Sequence, residues 1–155
     1  MGLVLDSGVL IAAERAARPV SELLTTLAEE FGETEIVLSS ISVIELEHGL
    51  HRASTTELAQ KRRDYLGTVF TAIPVEPFTR EMAQAAAKID AQARKTGIVI
   101  PFAHLLIGIT ALHFGYALGT RNQRHFQMVP GLKIISLNAE GFQGRLRQGS
   151  SADDH

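Results

Sequence analysis

The sequence predicts an α/β domain built on a mostly parallel five-stranded sheet flanked by helices, and three observations carry that expectation. Short β-type runs alternate with long helical patterns, the order expected of strand, crossover helix and next strand. Several of these runs are continuously apolar, as strands become when helices cover both faces of their sheet. The chain has 155 residues, 45% hydrophobic and 21% charged, enough for one core and far from the composition of a disordered segment.

The five strand-like runs are Gly2 to Asp6, Glu35 to Leu38, Ile73 to Glu76, Tyr116 to Thr120 and Lys133 to Leu137. Pro19 suits the first turn of a helix that runs to about Phe31 and ends at Gly32. Ser54 followed by Glu57 predicts a capping box, opening a helix to about Ala72. Thr79 is expected to cap an Ala-rich helix carrying Met82, Ala86, Ile89 and Ala93 at helical spacing and stopping at Gly97. Pro101 then starts a helix whose wide apolar stripe of Phe102, Leu105, Leu106, Ile109 and Leu112 predicts burial. The domain is expected to span residues 1–140, with residues 141–155, a mixture of Gly, Gln, Ser and charge without periodicity, as a flexible tail.

A formal net charge of −2 excludes global attraction to a polyanion, so any nucleic-acid contact must be local. With no cysteine, disulfides, thiolate metal sites and cysteine nucleophiles are excluded. Asp6 interrupts the first apolar run, and no other run approaches the roughly 20 residues of a bilayer span. A cytoplasmic protein without membrane association is the expectation.

In parallel α/β sheets, ligands bind beyond the carboxyl ends of the strands. Three polar clusters fall there: Asp6-Ser7, Glu45 on the helix after Ser39-Ser40, and Thr120 with Asn122. A carboxylate at the tip of a buried strand is poorly solvated unless a cation or donors neutralise it, which makes Asp6 a candidate ligand. Helix capping by Asp6 and Ser7 is the plain alternative, compatible with the first. Glu45 lies next to an apolar helix face formed by Ile41, Ile44, Leu46 and Leu50; alone it reads as a solvated glutamate, and only beside Asp6 does it suggest a site. His104 interrupts a helix that is apolar nearly all round, so its ring is either a bonded core imidazole or is aimed at the crevice. Thr120 and Asn122 suit a capped turn or the ordering of a metal-bound water, with Arg121 and Arg124 free to meet phosphate.

These segments, LDSGVLIAAE (5–14), ISVIELEHG (41–49), IPFAHLLIGITAL (100–112) and GTRNQRHFQMVPGL (119–132), together resemble the PIN-domain proteins of the VapC toxin type, in the family's order and out to about Leu137. The resemblance implies a PIN-like three-layer fold. It also implies a metal-dependent endoribonuclease toxin of a type II toxin–antitoxin system, whose clustered acids bind Mg2+ or Mn2+ to cut RNA. Asp6 and Glu45 match the first two acidic positions, His104 stands at the third, normally Asp, and His125 at a variable fourth. Asn122 and Thr120 match the pattern. The implied catalytic set is Asp6, Glu45, His104 and Asn122, the metal set Asp6, Glu45 and His104, and the substrate contacts Ser7, Thr120, Arg121 and Arg124. Implied partners are RNA, a small VapB-type antitoxin seated in a groove near the crevice, with Ile11 and Leu23 as candidate lining, and a second copy in a homodimer. Because imidazole is softer than carboxylate and uncharged, His104 should weaken Mg2+ binding and suit Mn2+ better. The alternative is a catalytically weakened PIN-like protein that binds RNA or antitoxin, or a toxin disarmed by an introduced histidine.

Overall fold

A computed structural model describes residues 1–137, so the expected tail at 141–155 and the last residues of the expected domain lie outside the described residues. Five parallel strands, β1 (Gly2–Leu5), β2 (Glu35–Ser39), β3 (Val75–Glu76), β4 (Ala117–Thr120) and β5 (Ile134–Ser136), form one sheet in the order β3-β2-β1-β4-β5. Six helices accompany them: α1 (Ser7–Arg15), α2 (Val20–Phe31), α3 (Ser40–His51), α4 (Thr56–Ala72), α5 (Arg80–Lys95) and α6 (Phe102–Phe114). Alternation along β1 assigns the layers. Leu3 and Leu5 pack with residues of α1 to α4, including Leu10, Leu23, Leu46 and Val69, whereas Val4 packs with Ile107 and Ala111 of α6 and with Phe126. Helix α5 then covers α6 through Met82, Ala86, Leu105 and Ile109.

The departures from the sequence reading are local. Helix α4 is capped by Thr55, which accepts from the Leu58 N–H at 3.1 Å, and not by Ser54. The helix opens one residue later than the Ser54–Glu57 pattern requires, which leaves Glu57 to meet the dipole in the first turn. The third strand shrinks to Val75–Glu76 because Pro74 has no N–H for the ladder, although its carbonyl still accepts from Leu38 at 2.9 Å. Leu23, for which core packing was expected ahead of groove lining, is 2% exposed and belongs to the core.

Helix α4 is tied to α1 by a part-buried hydrogen bond, in which the Tyr65 hydroxyl donates to the Leu10 carbonyl at 2.8 Å. Burial, with a smaller contribution from Glu14, pushes the Tyr65 phenol up to about 12. Tyr65→Phe is expected to lower the unfolding free energy by about 1 kcal/mol in urea titration, since a part-buried hydrogen bond between the two helices is lost. An unchanged midpoint would show that the bond contributes nothing.

The chain runs outward from β1 through β2 to β3 and then crosses back to β4 on the other side of β1, so strand order reverses between β1 and β4. The crevice therefore opens beyond Leu5 and Thr120, where Asp6 stands.

Candidate active site

Asp6 takes the N-cap position of α1 with extended backbone, φ −71° and ψ 144°, yet its side chain makes no cap hydrogen bond. Its N–H donates to the Gly119 carbonyl at 2.8 Å, continuing the ladder between β1 and β4. Across the same strand pair Thr120 Oγ1 donates to Asp6 Oδ2 at 2.8 Å and accepts from the Asn122 N–H at 3.0 Å. The completely buried Thr120 thus aims Asp6 and caps the following turn with one hydroxyl. Burial pushes the Asp6 carboxyl above its ordinary value, against the opposing help of Thr120, His104, the Ser7 N–H and His125.

Glu45 reaches the same crevice from α3. The start of that helix is fixed by Ser39, whose Oγ accepts from the Ile41 N–H at 3.2 Å. Thr110 Oγ1 of α6 lies 3.0 Å from both Ser39 Oγ and the Leu106 carbonyl, its proton serving one at a time, so the start of α3 and α6 are registered against each other in the interior. Burial raises the Glu45 carboxyl first, the charge of Asp6 raises it further, and the Ser7 hydroxyl opposes both. The two acids, distant in sequence, therefore share one poorly solvated pocket. Ser7, expected to meet substrate, is only 3% exposed and its hydroxyl serves Glu45.

His104 lies close enough to Asp6 to interact with it electrostatically, and its neighbour is His125, which the resemblance put at the variable fourth acidic position. Its ring stacks on His125 with centroids 4.5 Å apart and planes at 25°, and meets the edge of Phe126 at 4.9 Å. Burial, then His125, holds the His104 imidazole below its ordinary value, while Asp6 pulls the other way. The Asn122 amide lies 3.1 Å from His125 Nε2. Asn122 therefore orients His125. Arg121 and Arg124 are exposed, and among the described residues no ion pair ties either one down.

The donor chemistry fits a hydrated hard cation. Mg2+ keeps several waters and takes one or two carboxylates, which Asp6 and Glu45 supply. Glu45 Oε1 and His104 Nδ1 are both buried without a hydrogen-bond partner, a costly state that a bound ion with its waters would relieve. Among the described residues, however, no group of three or more His, Asp or Glu side chains is placed to hold a metal. The Asp6, Glu45 and His104 set expected from the sequence is thus not closed as one cage, and the His104 ring also lies against His125 and Phe126.

A cavity of about 500 Å³ opens beside Glu45, walled by Ile11, Leu46, Leu58 and Leu66 and edged by Arg15, Arg52, Lys61 and Arg62. It shares Glu14 and Lys61 with a smaller cavity at Pro19 and Tyr65, and that one adjoins a third along Leu24, Thr68 and Ala72. The result is a groove running the length of α4. Arg62 is anchored in it by donating to the Gly49 carbonyl.

Comparison with known proteins agrees with this architecture. The family described as PIN domain matches residues 3–132. Ribonuclease VapC1 of Rickettsia felis is 28% identical over 140 residues, covering 90% of this chain and 99% of that protein. VapC ribonuclease Y4jK of Sinorhizobium fredii is 33% identical over 141 residues, covering 86% of this chain and 96% of the relative. Among solved structures, VapBC2 from Rickettsia felis bound to a promoter DNA fragment aligns with a TM-score of 0.76 at 21% identity, over 89% of this chain and all of that one. FitAcB from Neisseria gonorrhoeae aligns with a TM-score of 0.71 at 20% identity, over 89% of this chain and 98% of that one. By the extent of the family match and the likeness to the VapC ribonucleases, the chain belongs to the PIN-domain family.

Proposed function

We propose that this chain is a divalent-metal-dependent endoribonuclease, the toxin of a type II toxin–antitoxin pair acting in the cytoplasm. The observation that carries this reading is the convergence of Asp6 and Glu45 at the switch point of the sheet, both raised by burial and one leaving a buried oxygen unpartnered. Such a pair is costly in a protein that never neutralises it. When bound there, Mg2+ or Mn2+ supplies an activated water and offsets charge on the scissile phosphate. Asp6 and Glu45 hold it, Thr120 fixes the Asp6 rotamer, and the Ser7 hydroxyl opposes the upward push of burial and of Asp6 on the Glu45 carboxyl. Arg121 and Arg124 stand free on the loop to pair with neighbouring phosphates. The relatives named as ribonucleases favour this reading over that of a weakened binding protein.

The groove along α4 suits a small VapB-type antitoxin, its apolar wall taking side chains of the partner and its far end delivering the chain to Glu45. Solved neighbours are VapBC assemblies, which supports that partner. Exposed Val99 and Phe102, 61% and 74% accessible, are apolar surface of the kind a homodimer buries.

Structured RNA incubated with the chain should accumulate cleavage products in Mg2+ or Mn2+ and none in chelator. Mn2+ should be the more effective ion at equal concentration, because an imidazole stands beside the pair. Cleavage that persists in chelator would remove the metal from the mechanism, and no cleavage with any divalent ion would overturn the enzyme.

A further inference from the structure

We infer that His125 is a stacking platform for a nucleobase of single-stranded RNA next to the scissile phosphate, a substrate-positioning role that rests on the ribonuclease reading above. One face of its ring is covered by His104 at 4.5 Å, and the residue as a whole is nevertheless exposed. The ring is held at both ends of its surroundings: His104 backs it, Phe126, 0% exposed, supports His104 at its edge, and Asn122 sits 3.1 Å from Nε2. An exposed imidazole on a loop would ordinarily rotate freely. This one is presented as a fixed flat surface at the rim of the crevice, close enough to Asp6 for the two to interact electrostatically.

The surroundings select the ligand. Unpaired bases are splayed out and stacked on aromatic rings, His included, wherever a protein reads single-stranded RNA, and the stack tolerates any base because every base has a π-face. Arg121 and Arg124, exposed on the same loop within four residues of His125, supply positive charge for the RNA backbone. A duplex offers no free base face, so a platform here favours single-stranded regions. The neutral contact of a stacked base also suits a protein whose net charge of −2 gives little general attraction to RNA.

The test is binding, kept apart from chemistry by chelator: anisotropy of a short fluorescein-labelled single-stranded oligoribonucleotide of mixed sequence, with wild type, His125→Ala and His125→Phe, each checked for an unchanged melting temperature. His125→Ala is expected to weaken binding by about five- to a hundredfold, the effect of one lost base stack, and His125→Phe to bind within a few-fold of wild type. In cleavage assays with Mn2+ the alanine variant should lose mainly in KM. Equal binding by wild type and His125→Ala overturns the platform and leaves the ribonuclease standing. Loss of binding in His125→Phe as deep as in the alanine variant would mean that the ring nitrogens, and not its face, meet RNA. Wild type that neither binds nor cleaves RNA overturns both readings together.

Discussion

Asp6→Asn is expected to lower RNA cleavage by about three orders of magnitude or more while leaving the folded chain at least as stable as wild type at neutral pH. The two halves of this result have one cause. The carboxylate is held where it is poorly solvated, which helps a cation bind and does nothing for the empty fold. Because burial raises the folded value above the ordinary 3.8, the folded state binds protons more readily than the unfolded one. The penalty is therefore absent below the ordinary value, grows as pH rises through the window up to the raised one, and stays in full above it. Asparagine removes that penalty, keeps an oxygen for the Thr120 hydroxyl and relieves Glu45 of a neighbouring charge. Melting curves should show the variant equal to or above wild type at neutral pH, the gap closing on acidification. Divalent metal should raise the melting temperature of wild type alone. A variant that unfolds, or that cleaves as well as wild type, would show that Asp6 is a structural cap after all.

How far the site could be read from sequence depends on the kind of information each residue carries. Asp6 was legible because an acid that ends an apolar strand violates the pattern around it, and position at a strand tip follows from topology alone. Glu45 was legible only in company: its place beside the apolar face of ISVIELEHG set it apart from Glu47, but a lone helical glutamate is ordinarily solvated, and its approach to Asp6 is a matter of tertiary packing across 39 residues of chain. The layers of the fold followed from apolar runs and caps, while the start of one strand and of one helix shifted by a residue or two where Pro74 and Thr55 decided the local hydrogen bonding.

The stacking of His104 on His125 was not legible. Stacking of two rings from α6 and the turn after β4 requires the depth and tilt of a helix relative to a loop, and no periodicity encodes either. The sequence placed His104 at a metal position by analogy of place; the structure gives its ring neighbours that compete with that use. A residue's position in a motif specifies where its Cα lies far better than where its side-chain atoms point.

His104→Asp decides between these uses, and it carries the second large effect. A third carboxylate beside Asp6 and Glu45 completes an oxygen set for Mg2+, and Mg2+-dependent cleavage is expected to rise by about tenfold or more, with the advantage of Mn2+ over Mg2+ shrinking. Without metal the same change is costly, since burial already raises both acids and Asp6 raises Glu45 further. The metal-free variant should melt below wild type at neutral pH and recover on acidification, because a raised carboxylate destabilises only where it is ionised. Mg2+ should then lift the variant's melting temperature more than that of wild type, following the tighter binding. The substitution also strips His125 of its stacking partner, so RNA affinity measured in chelator should fall even as cleavage in Mg2+ rises. Opposite movement of binding and turnover separates the metal position from the stacking position. If Mg2+ cleavage fails to rise while the melting temperature and RNA affinity both drop, His104 serves the ring stack alone and the ion is held by Asp6 and Glu45 without help from α6.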